Sequence, residues 1–292
     1  MKPTQAAWLF VLPALLAIAV FFVVPVAAAL LMSATDFDIY GLADLGNVRF
    51  IGLANYLHLV QTPLFWQALF NTLFFVLVGV PLSVAASLVA ALLLNSPLAR
   101  LKGLYRTALF VPVVTTLAAV AVMWRFLLHT RYGLLNFGLS SLGVSPIDWL
   151  GNPHWAMPAI MLLSVWKNFG YNMIILLAGL QAIPADQYEA AHLEGAGAWT
   201  VFRNITLPSL VPMLLMVSIL TMAAHFQLFA EPYVMTQGGP AQRTVTVLYL
   251  MYEEGFKWWS LGSGSAVAFV LFLFMFGFTV IQVQAARRWG TT

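Results

Sequence analysis

Apolar residues fill six long runs of this sequence, and polar residues collect in the intervals between them. The first run, 6–32, holds no charged residue, and about 20 apolar residues suffice for a helix to cross the hydrocarbon core of a bilayer. Pro13 and Pro25 inside it predict kinks. A cleaved signal peptide is the competing reading, since Lys2 precedes the run and Ala27-Ala28-Ala29 imitates a cleavage site; the run is too long for the apolar core of such a peptide. The runs 68–94, 108–128, 155–180, 207–230 and 265–284 predict five more spans. The expected architecture is an all-α membrane protein of six transmembrane helices, a single domain over 1–292.

One interval, 181–206, is more than a connection. Pro184 suits the first turn of a helix, where its missing N–H costs nothing, and Asp186 and Glu189 follow near the positive end of the dipole. Gly195 and Gly197 suit the left-handed backbone that closes such a helix, and Trp199, Phe202 and Ile205 then recur at three-residue spacing. The pattern reads as helix, elbow, helix. Each piece is too short to hold itself together in water, so it needs a surface to lie on, either the membrane domain or a partner chain.

Composition narrows the class. Of 292 residues, 62% are hydrophobic and 8% charged, against roughly a quarter charged in soluble domains, so the chain belongs in a membrane. There is no cysteine, hence no disulfide or thiolate metal site. The cations decide orientation better than the net +3 does. Lys2, Arg100, Lys102, Arg106, Arg203, Arg287 and Arg288 fall on one side of the predicted spans, and Arg49, Arg131, Arg243 and Lys257 on the other. The excess predicts both termini, and with them Glu189, on the cytoplasmic side. The stretch between the first two runs is acidic, through Asp36, Asp38 and Asp44, and reads as an external loop.

Glu189-Ala190-Ala191, then Gly195, then Ile205-Thr206-Leu207-Pro208 carry a specific spacing. It resembles the cytoplasmic EAA signature of permease subunits of binding-protein-dependent ABC importers, with every fixed position filled. Gln181-Ala182-Ile183-Pro184 upstream and Thr236-Gln237-Gly238-Gly239-Pro240 downstream are similar to the carbohydrate-uptake class, in particular its maltose- and glycerol-phosphate-type first permease. The resemblance implies an ATP-driven sugar importer in the bacterial cytoplasmic membrane. It implies docking of Glu189, Ala190, Ala191, Glu194, Gly195, Ile205, Leu207 and Pro208 on an ATPase. Glu194 stands where the family usually has Asp. The implied partners are a second permease in a heterodimer, an ATPase dimer carrying ATP and Mg, and an extracytoplasmic solute-binding protein. This chain has no Gly-x-x-x-x-Gly-Lys-Ser/Thr phosphate loop, so it is expected to bind no cofactor and to leave hydrolysis to other subunits.

Inside the predicted spans the polar residues are few and costly. Asn168, Tyr171 and Asn172 share a helical face, and Thr221 and His225 are i, i+4 neighbours. Alignment on the flanking motifs implies a substrate path over Lys167, Asn168, Tyr171, Thr221, Ala224, His225 and Leu228. Packing between helices is the alternative for Asn168, Thr221 and His225, and snorkelling or an interhelical pair is an equal reading for Lys167. His58, His129, His154 and His192 have no metal-ligand spacing. A glycerol-phosphate or other small polar cargo stays open. An ion-coupled transporter would want acidic residues within the spans, and none lies there.

Overall fold

The computed structural model describes residues 3–96 and 100–288; Lys2, counted above, lies outside the described residues. Helix α1 runs from Pro3 to Ser33. The others that matter are α2 (Pro63–Asn95), α3 (Lys102–Val114), α4 (Leu117–Leu127), α5 (Ala156–Gln181), α6 (Ala185–Leu193), α7 (Ala198–Phe226), α8 (Ala230–Met235) and α9 (Leu261–Arg288). Among the described residues there is no strand beyond one isolated bridge, Thr35 with Phe50. Helices α1, α2, α5, α7 and α9 are each long and apolar enough to span, and α3 with α4 makes a sixth only as a bent pair, turned by 100°.

That bend departs from the single run expected over 108–128. Pro112 removes a helical donor, and Thr115 and Thr116 are extended, so α3 stops at Val114 and α4 restarts at Leu117. Two other prolines are absorbed differently. Pro25 and Pro208 each follow a π turn, Ala19–Val23 and Phe202–Thr206, in which the residue before the proline bonds five residues back, Val24 to Ala19 and Leu207 to Phe202. The wider turn lets the helix pass the ring, so α7 runs unbroken from the elbow to Phe226.

Two compact units divide the chain. One is Met1–Trp66 with Leu250–Leu273. Here the Ser33 hydroxyl meets Tyr56 at 2.7 Å, and Asn55 donates to the Ser33 and Thr35 carbonyls at 2.9 and 2.8 Å. Gly262 donates to the Phe37 carbonyl at 2.8 Å, and a Cβ on Gly262 would collide with the Thr35 carbonyl. Helix α1 keeps its apolar side chains exposed, Phe10 and Phe21 among them, as a lipid-facing helix does.

The other unit is Gln67–Tyr249 with Phe274–Thr292. Its core joins Phe75, Trp124, Leu128, Ile160 and Leu163, and a second cluster joins Ala91, Leu94, Leu176, Leu210 and Val217. Helix α2 packs inward through Gly79, Ser83 and Ser87, small residues four apart that let neighbours approach closely; Ser87 donates to the Phe169 carbonyl at 3.0 Å. The segment 236–247 is fastened to the start of α2. Asn71 donates to the Gln242 and Val245 carbonyls at 2.9 and 2.8 Å, and Val247 N–H donates to the Thr72 hydroxyl at 2.9 Å.

Candidate functional site

The polar island forms a helix and an elbow. Pro184 begins α6, and at its far end Gly195 N–H donates to the His192 carbonyl and Ala196 N–H to the Ala191 carbonyl, at 3.0 and 2.9 Å. This pair of bonds is the Schellman closure, and it places Gly195 at φ +75°. Nothing lies within 4 Å of a Cβ built on Gly195, so backbone conformation, not space, selects glycine there. Beyond the elbow the structure differs from the expected second stub. Trp199, Phe202 and Ile205 are the first turns of α7 itself, so α6 is hinged directly to a spanning helix.

One face of α6 seats on that base. Ala191 and Val201 are buried, and the Tyr188 hydroxyl meets the Thr206 hydroxyl at 3.1 Å. The opposite face is open: Glu189, Ala190, Glu194 and Gly195 are exposed. Leu193 is 90% exposed and Trp199 71%. Ile205 and Leu207 are half-buried, and Pro208 is exposed. Tyr188 and Leu193 were not singled out from the sequence, because only packing tells which side of so short a helix is seated.

Within the spanning helices, the candidate residues divide into two groups. Asn172 donates to the Thr221 hydroxyl at 2.8 Å and sets the antiparallel register of α5 and α7. Thr221, His225, Leu228 and Lys167 are all buried. His225 Nδ1 lies 2.9 Å from the Thr221 carbonyl and Nε2 lies 3.4 Å from Ser83, with the Phe75 ring beside it. Gly79 makes the room, since a Cβ there would come within 2.8 Å of the imidazole. The four-residue spacing of Gly79, Ser83 and Ser87 is a sequence signal for this contact that the reading of the spans above did not use. Lys167 donates to the Pro112 and Val113 carbonyls, both at 3.3 Å.

Asn168, Tyr171 and Ala224 keep exposure. Tyr171 is 49% exposed, and Asn168, half-buried one turn away, donates to the Ser164 carbonyl at 3.0 Å. Past Ser209 the exposed positions of α7 are Pro212, Met216, Leu220 and Ala224, and Gln227 just beyond its end continues the stripe, at four- and three-residue spacing. From the Asn172–Thr221 pair, Asn168 and Ala224 lie one turn toward the same end, so the two exposed faces flank one contact at one level.

An exposed hinge helix beside a half-open pair of spans has a counterpart among known proteins. The profile of the family described as "Binding-protein-dependent transport system inner membrane component" matches residues 3–290. The chain belongs to this family. The permease is 36% identical over 286 residues to the lactose transport system permease protein LacF of Rhizobium radiobacter, covering 96% of this chain and 94% of that one. It is 35% identical over 289 residues to the trehalose/maltose transport system permease protein MalF of Thermococcus litoralis, covering 98% and 95%. It is also 36% identical over 282 residues to the sn-glycerol-3-phosphate transport system permease protein UgpA of Yersinia pestis, covering 96% and 94%. A bacterial ABC transporter for import of the acidic polysaccharide alginate has the same fold, at a TM-score of 0.83, 21% identity, and coverage of 100% of the permease and 98% of that chain. The permease is thus an inner-membrane component of a binding-protein-dependent transport system.

Proposed function

We propose that the permease forms half of the translocation path of an ATP-driven carbohydrate importer, paired with a second, different permease above two ATPase subunits. ATP and Mg act on those subunits, and a soluble solute-binding protein delivers the cargo from outside. The observation that carries this reading is the complete Glu-Ala-Ala…Gly…Ile-x-Leu-Pro spacing on a helix whose outer face leaves Leu193 and Trp199 bare. A partner cleft would cover those side chains and meet Glu189. Because α6 is hinged at Gly195 to the base of α7, displacement of α6 by the ATPase moves a spanning helix directly. Relatives named for lactose, trehalose/maltose and arabinooligosaccharide transport support the carbohydrate class.

The cargo-facing surface is then Asn168, Tyr171 and Ala224, extended by Leu220 and Gln227. His225, Thr221, Leu228 and Lys167 shape the path from behind. Tyr171 suits a sugar, offering a ring for a C–H face. A glycerol-phosphate cargo is the second reading, favoured by the identity to the sn-glycerol-3-phosphate permease. The excess of cations on the Glu189 side supports both termini in the cytoplasm.

The deciding experiment reconstitutes the permease with its partner permease, ATPases and binding protein in vesicles. ATP hydrolysis and uptake are then followed across a panel of oligosaccharides, sugar phosphates and glycerol phosphate. Stimulation by a loaded binding protein with one or more neutral sugars is expected. Stimulation by glycerol phosphate alone moves the assignment to the second reading, and uptake by the isolated permease without ATPases overturns both.

A further inference from the structure

Among the described residues, Lys167 and Glu231 are the only Lys, Arg, Asp or Glu side chains that are buried. Lys167 sits beside the break in the third span. Helix α3 ends there with last-turn carbonyls that have no helical partner. The Thr115 hydroxyl donates to the Pro112 carbonyl at 2.6 Å, and Lys167 reaches across from α5 to the Pro112 and Val113 carbonyls, both at 3.3 Å. Close approach is built in, because Gly170, one turn along α5, abuts the Leu109 carbonyl of α3 and any Cβ there would collide with it. A lysine fits this place. Its stem packs among apolar neighbours while its head meets the negative end of a helix dipole. Helix α8 packs against α4 and α5. Arg125 of α4 donates to the Val234 carbonyl of α8 at 3.3 Å.

We infer that Lys167 is a positioning residue that latches the broken third span onto α5. It holds the shape of the path and touches no cargo. The inference rests on the transport reading above. It turns a position that alignment assigns to the cargo path into one committed to the end of α3.

The test uses the complete importer in vesicles with K167M and K167R. The readouts are transport Vmax, KM for loaded binding protein, cargo preference across the panel and the thermal midpoint of the complex. K167M is expected to lower Vmax tenfold or more and to lower the midpoint, with KM within twofold and cargo preference unchanged. K167R is expected to restore most of the rate and of the midpoint. An altered KM or a reordered cargo preference in K167M or K167R makes Lys167 a cargo ligand and overturns the inference. So does a K167M complex that behaves as wild type. Should K167M fail to assemble, K167R carries the test through its KM and preference. A wild-type complex inert to every cargo sinks the transport reading alone, and the midpoints of the two variants still decide the latch.

Discussion

Gly195 shows how one backbone angle can end a helix. Its φ of +75° closes α6, and the space around it is empty, so Gly195→Ala meets no clash and costs about 1–2 kcal/mol through the left-handed conformation alone. That cost falls at the elbow between α6 and α7. The expected outcome is a complex that assembles and hydrolyses ATP while transport falls severalfold or more, measured as ATP split per cargo moved; Gly195→Asn, which tolerates this conformation better, should fall between. Gly79 is limited by space instead. A Cβ there comes within 2.8 Å of the His225 ring and 3.6 Å of Met161, so Gly79→Ala should destabilise the detergent-solubilised protein by about 1–3 kcal/mol, read as a lowered thermal midpoint. Hydropathy hides that contact. In a span where every face is apolar or small, a histidine against glycine and a histidine facing cargo give the same sequence pattern, and only the four-residue recurrence of Gly79, Ser83 and Ser87 separates them.

At the scale of elements, legibility followed polarity. The segment 181–206 stood out because it is a polar island with its own start and stop residues, and its capped helix and glycine closure could be read directly. The break at Thr115–Thr116 could not, because Val-Pro-Val-Val-Thr-Thr keeps the run apolar while Pro112 and two threonines turn the chain. The continuity of α7 past Pro208 was hidden for the opposite reason: a π turn rescued a proline that reads as a boundary. Two predictions belong here. Asn71→Ala strips a donor from two loop carbonyls at the start of α2 and should cost about 1–3 kcal/mol, with faster hydrogen exchange confined to the 236–247 segment. The Asp36–Arg49 tie, 2.9 Å between Nε and carboxylate, answers to pH. The Arg49 backbone N–H first, and its guanidinium after it, hold the Asp36 carboxyl below the usual carboxylate range. A group with a lowered folded value contributes its stability above the unfolded value and loses it as pH falls through the folded one. Protection of the Arg49 backbone amide, corrected for intrinsic exchange, should therefore be full near neutrality and drop in acid, whereas D36N should be weak and flat across that range.

For the whole molecule, the direction of coupling depends on which side of the membrane holds α6. The cation excess and the Glu189 signature point the same way from independent physics, one from insertion of charged loops and the other from the need to meet an ATPase. The sequence offers an unusually clean assay, because it has no cysteine and needs none removed. Single cysteines at Glu189 and at Gln237 sit on exposed or partly exposed positions at opposite ends of the second unit, the first on α6 and the second on the segment anchored to the start of α2. In intact cells a membrane-impermeant maleimide should label Q237C and leave E189C untouched, and in inverted vesicles the pattern should reverse. Adding the ATPase subunits to those vesicles should then shield E189C, since the face bearing Leu193 and Trp199 is the one a docked partner covers. Labelling of E189C from outside the cell would place the hinge where no cytoplasmic hydrolase can reach it, and the chain from α6 through Gly195 to α7 would have nothing to push it.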